Sequence, residues 1–145
     1  MAVHYPGEAA VARIGAGLFD HSVPKQEWTH AAHFAATLWI LRYRPDIVPE
    51  RDMPGLIRAY NEALGGVNDD HNGYHETITQ ASLRAARAFL GQQAPERPLH
   101  ETLDDLMASP LGCSDWPLAH WTRETLFSVE ARWGWIEPDR APLPF

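Results

Sequence analysis

From Trp28 to Leu41 the chain runs 14 residues without a single charge. At helical spacing Trp28, Ala32, Ala35 and Trp39 fall on one face, and His30, His33 and Thr37 on the other. A helix that is apolar nearly all round belongs inside a protein. It is also too short to cross a bilayer. The segment therefore predicts a central helix around which the rest of the chain packs. Two imidazoles on such a helix need partners, which could be a metal, a ligand or other side chains.

The remaining segments carry the same period. Glu8 to Phe19 places Ala9, Ala12 and Ala16 at helical spacing. Ser22 and Pro24 supply a cap and a first turn for the central helix, expected from Lys25 to Tyr43 and closed by Arg44-Pro45. A third helix is expected after Asp52-Met53-Pro54, with Leu56, Ile57, Tyr60 and Leu64 on one face, and a polar loop from Gly65 to Gly73 follows. Tyr74 to Leu90 reads as a fourth helix and Leu99 to Met107 as a fifth. An irregular stretch runs from Ala108 to Ala119, and a last helix capped by Thr122 reaches Arg132. No alternating strand pattern is present. With 45% hydrophobic residues and six Trp in 145 residues, the expectation is an all-α fold, one domain over 1–145. It is a bundle of about five or six helices with an extended C-terminal tail from Gly134.

Charge and cysteine content narrow the function classes. The formal charge is −7 and no run of Lys and Arg exists, which argues against nucleic acid as a partner. A single cysteine, Cys113, excludes an intramolecular disulfide and a thiolate zinc site. The N-terminus has no basic region ahead of an apolar stretch, so the expected setting is soluble and cytoplasmic, with no membrane partner. A small-molecule ligand is the expected partner, and a homo-oligomer is left open.

His30 and His33 stand one helical turn apart and could chelate one metal; the plainer alternative is a core pair bonded to backbone carbonyls or hydroxyls. His75 is expected at a helix N-terminus, where the dipole disfavours imidazolium, so it should be neutral and able to bind a metal or serve as a base. Its plainer role, with Glu76, is to cap that helix. Tyr60 points an inward hydroxyl that needs a partner. Glu62 pairs naturally with Arg58 four residues earlier. Glu130 shares a helical face with Leu126 and Trp133 and is expected to be partly buried, either salt-bridged to Arg123 or Arg132 or available to a metal. Glu27-x-x-His30 has the spacing of di-metal carboxylate bundles, but no second copy occurs. No zinc-protease pattern or Gly-rich phosphate loop is present.

Four segments, Trp28-Thr29-His30-x-Ala32-His33, Tyr60-Asn61-Glu62, Gly73-Tyr74-His75-Glu76-Thr77-Ile78-Thr79 and Glu130-Ala131-Arg132, resemble a family of small uncharacterised bacterial proteins. The resemblance covers roughly residues 24 to 140. It implies a shared polar site and raises Glu62 and Glu76 above their plain readings, without naming a reaction. The first expectation is a small metal-dependent enzyme acting on a small polar metabolite. His30, His33 and His75 would hold a divalent transition metal, zinc or iron first, with Glu76, Tyr60 and Glu130 as catalytic groups and no organic cofactor. The alternatives are a metal-free acid–base lyase or isomerase and a non-enzymatic ligand-binding module.

Overall fold

Helical segments with one apolar face must bury it against one another. In the computed structural model, which describes residues 3–145, they do so as seven α-helices with no strand among the described residues. These are α1 (Glu8–Asp20), α2 (His30–Tyr43), α3 (Pro49–Ala63), α4 (Glu76–Gly91), α5 (Leu99–Ala108), α6 (Arg123–Leu126) and α7 (Val129–Trp133). Short 3₁₀ turns occupy Lys25–Glu27, Pro110–Gly112 and Trp116–Ala119.

Helix α2, whose only charged residue is Arg42 in its last turn, is central and packs against α1, α3, α4 and α5. It buries Ala32, Phe34, Ala35, Ala36, Thr37, Leu38 and Ile40, which takes in most of its circumference. Trp39 is only partly buried, and its indole lies on α1 where Gly15 leaves room for it. A Cβ at Gly15 would sit inside that indole, so a glycine costly to helix propensity sets the α1–α2 approach. Helix α2 begins five residues later than its sequence suggests. Thr29, not Ser22, is the cap, and its Oγ1 accepts the Ala32 N–H at 3.2 Å. The chain upstream completes one 3₁₀ turn and then leaves helical geometry at Trp28 (ψ 67°). His30 and His33 therefore stand in the first turn and a half of α2 rather than in mid-helix.

Helix α3 starts at Pro49, ahead of the expected position, with Val48 N–H bonded to Asp52 Oδ2 at 2.9 Å. Pro54 then lies inside the helix and removes the N–H that would bond Glu50 C=O. Gln80 Nε2 on α4 donates to that carbonyl instead, at 3.0 Å. Met53, Ile57 and Tyr60 form the buried face.

Helix α4 is buried on two sides. Leu83 and Ala86 belong to the main core with α1, α2, α3 and α5. Ala81 and Ala85 face a second cluster built by Trp116, Trp121 and Leu126 from the C-terminal third. The expected last helix divides in two: Thr122 caps α6, the helix ends at Phe127, and Ser128 caps α7. Glu130 consequently does not share a continuous face with Leu126, and it is exposed rather than partly buried.

The tail beyond Gly134 is non-helical and is tied to the helices through polar groups. Thr77, fully buried on α4, donates to Gly134 O at 2.8 Å and accepts the Ile136 N–H at 3.2 Å. Trp121 Nε1–H donates to Ile136 O at 2.9 Å. Asp139 accepts from both Thr122 and Thr125, and these bonds lower its carboxyl to about 2.

Candidate functional site

Between α2, α3 and α4, beneath the polar loop that follows α3, lies a cavity of about 750 Å³. That volume suits a metabolite-sized ligand. Aromatic and aliphatic side chains (Trp28, Phe34, Met53, Ile57, Leu83) share its wall with uncharged polar ones (Thr37, Asn61, Thr79, Ser82).

His33 is the exposed imidazole of this wall, and the space it is exposed to is the cavity. Its ring lies against Trp28, with centroids 4.2 Å apart and planes tilted by 35°. Trp28 in turn packs on Tyr60 at 5.0 Å. Neither His33 ring nitrogen has a hydrogen-bond partner among the described residues. Water can reach the ring, yet the recess around it is walled by protein of low polarisability. That desolvation, then the neighbouring His30, pushes its pKa down to about 4. The N-terminal end of α2 adds to the disfavour of imidazolium. Thr37, one turn on, donates its hydroxyl to His33 O at 2.8 Å and keeps its lone pairs free.

His30 also lines the cavity, but its Nε2–H donates to Leu111 O at 2.7 Å, and its ring stands edge-on to Phe34. It is partly committed to holding the 3₁₀ turn at Pro110–Gly112. His75 is more fully committed. It is the N-cap of α4, with Nδ1 accepting the Ile78 N–H at 3.1 Å and Nε2–H donating to Leu126 O at 2.7 Å. A ring that accepts at Nδ1 and donates at Nε2 is neutral, and burial above all holds its pKa below the usual value. With both nitrogens engaged, His75 offers no lone pair to a metal. Among the described residues no three His, Cys, Asp or Glu side chains are grouped to hold one. As the side chains stand, the expected three-imidazole centre would have to draw on a His75 whose two nitrogens are both engaged.

The expected catalytic groups are likewise dispersed. Tyr60 lines the cavity, but its buried hydroxyl donates to Val23 O at 2.6 Å. Burial raises its pKa. Glu76 does not line the cavity; its carboxylate accepts from Tyr74 OH at 2.5 Å and from Gln80 Nε2 at 3.3 Å. Burial first, then that carboxylate, holds the Tyr74 phenol well above its ordinary range. Glu130 is exposed and away from the cavity. Glu62 is exposed and accepts from Asn68 Nδ2 at 3.1 Å, while Arg58 leaves it unpaired and stacks on Tyr74 instead, 4.5 Å from the ring centre.

The loop over the cavity is held by its own Asn68 and by two side chains of α7. Asn68 donates to Arg58 O and accepts the Tyr74 N–H at 3.0 Å, and Trp133 Nε1–H on α7 donates to Asp70 Oδ1 at 2.8 Å. Arg132 reaches Gly73 O and Tyr74 O, both at 3.1 Å. The loop leaves and rejoins the helices at Gly65 (φ 86°) and Gly73 (φ 83°), backbone that other residues rarely adopt. A Cβ at Gly73 would run into Val67 O and Asn68.

Lys25, Ser82 and Trp116 also line the cavity and were not among the expected site residues. Lys25 carried a signal in the sequence, being the chain's single lysine, and Ser82 shares the helical face of His75 and Thr79; Trp116 carried none. No protein-family model, curated protein or solved structure matches the chain.

Proposed function

We propose that the protein binds a small polar molecule in the cavity between α2, α3 and α4, with His33 as the group that recognises it. The observation that carries this reading is an imidazole open to a metabolite-sized cavity and hydrogen-bonded to none of the described residues. Structural histidines in this chain behave differently, as His30 and His75 each spend ring nitrogens on backbone carbonyls or amides. An imidazole neutral at ordinary pH presents one donor and one acceptor, which suits a ligand hydroxyl, carbonyl or amide.

Catalysis at the same place is the weaker reading. A group whose conjugate acid has a pKa of about 4 is a poor base near neutrality. No carboxylate lines the cavity to orient it. The metal-dependent reading requires His75 to release both Ile78 N–H and Leu126 O.

Diethyl pyrocarbonate, which acylates neutral imidazoles with an accessible lone pair, tests the premise directly. Peptide mapping is expected to show His33 modified at a rate that barely changes from neutral pH down to about 5, the region where an ordinary histidine (pKa about 6.5) becomes protonated and slows. A His33 that resists while exposed His21 and His71 react would remove the premise. Ligand-observed NMR against a panel of small polar metabolites is expected to yield binders whose signals vanish with His33→Ala, and turnover assays of those binders separate recognition from catalysis. Added Zn²⁺ or Fe²⁺ is expected to leave the melting temperature unchanged. A saturable rise, or stoichiometric metal in protein purified without a histidine tag, would restore the metal-dependent reading.

A further inference from the structure

The cavity differs in charge from the molecule that contains it. The chain has 19 acidic residues, yet none of them lines the cavity. Lys25, the only lysine in the sequence, does. It begins the 3₁₀ turn just ahead of α2, is exposed, and therefore stands where the cavity meets solvent. No ion pair involves it among the described residues. The nearest acid in sequence, Glu27, is held by Arg13 at 2.8 Å and is absent from the cavity wall.

We propose that the occupant is a small organic anion: a carboxylate-bearing molecule whose charge sits on the Lys25 ammonium and whose uncharged body lies against the apolar part of the wall. The inference rests on the reading of this cavity as a ligand site and adds the ligand's charge class. A cationic ligand would meet an ammonium with no carboxylate in the cavity wall to offset it, since the acids just behind the wall, Glu27 and Glu76, are engaged by Arg13 and by Tyr74 and Gln80. A neutral ligand would leave the cavity's one formal charge unused. The chain's overall charge of −7 does not decide the matter. At physiological ionic strength, charges more than about 8 Å away are largely screened, so the groups at the cavity itself dominate.

Three probes of one shape and different charge separate the outcomes: benzoate, benzamide and benzylamine, titrated at millimolar concentration into the full chain by NMR. Benzoate is expected to bind best and benzylamine worst. Lys25→Gln is expected to weaken benzoate about threefold to tenfold, the size of a charge-assisted contact at a partly exposed site. The same variant should leave benzamide within about twofold, since only the charge contact is lost. Added salt should weaken benzoate alone. Because the chain has one lysine, acylation by an N-hydroxysuccinimide ester followed by mass spectrometry reads the same contact without any substitution. Benzoate should protect Lys25 and benzamide should not, with the terminal amine as internal reference.

Equal benzoate binding by Lys25→Gln, benzylamine binding as well as benzoate, or no binding by any of the three overturns the anion assignment. His33→Ala reports separately on the underlying site. If it weakens all three probes while Lys25→Gln weakens none, only the charge class is wrong. If binding is indifferent to His33→Ala, the cavity reading itself fails.

Discussion

Trp121→Ala is expected to destabilise the protein by about 3–5 kcal/mol, read as a lower urea midpoint at unchanged slope. Trp121 is the largest fully buried side chain and sits in the second core cluster, against α4 and the C-terminal tail. Its ring meets Trp135 edge-on, with centroids 5.7 Å apart. Its Nε1–H holds Ile136 O. Truncation would thus open a cavity and strand a carbonyl in one step, and the loss would take about a fifth or more of the about 5–15 kcal/mol that stabilises a typical domain. Trp121→Phe separates the two contributions. It refills most of the volume but leaves Ile136 O without its donor, so a cost of about 1–3 kcal/mol is expected. A negligible effect of Trp121→Ala would mean that the C-terminal third merely lies on the helices and is not part of their core.

The elements most legible in the sequence were those whose signal is local and dense. Helix α2 announced its central place by carrying no charge before Arg42 in its last turn, and α5 was readable nearly to the residue because Leu99, Leu103 and Leu106 repeat at helical spacing. The start of α3 was hidden because Pro54 resembles a first-turn proline. Only a side chain from α4, Gln80, makes that proline tolerable in the helix. Glu130 was misplaced for a related reason: helical periodicity was carried from Leu126 to Trp133 across a break at Phe127, where Ser128 begins a new helix.

The cavity between α2, α3 and α4 was legible in outline, while the partners of its polar side chains were not. His33 followed from its place on an apolar helix. The expected three-imidazole centre took no account of the partner of His75, a carbonyl 51 residues away that no spacing rule exposes. The same holds for Tyr60 and Val23 O, 37 residues apart. Polar residues on buried faces do signal that partners exist, but the sequence cannot say whether the partner is a ligand or the chain's own backbone.

His75→Ala is expected to cost about 2–4 kcal/mol, because it removes the cap of α4 and leaves both Ile78 N–H and Leu126 O without a partner. His75→Asn should recover part of this, since Asn can accept the Ile78 N–H but does not span to α6. The two variants also divide the pH dependence. His75 has a folded pKa below its ordinary 6.5, so on acidification the unfolded chain takes up the proton first. The stability it contributes is complete above 6.5 and is lost as pH falls from there toward the lower folded value. His33 acts with the same sign between 6.5 and about 4. Urea midpoints of the wild-type protein should therefore fall across that window, and His75→Asn should flatten the fall without abolishing it, the remainder belonging to His33. A wild-type midpoint that stays level from neutrality to about pH 5 would show that neither imidazole is held neutral by the fold. A slope untouched by His75→Asn would assign the whole effect to other groups and leave the cap with no part in it.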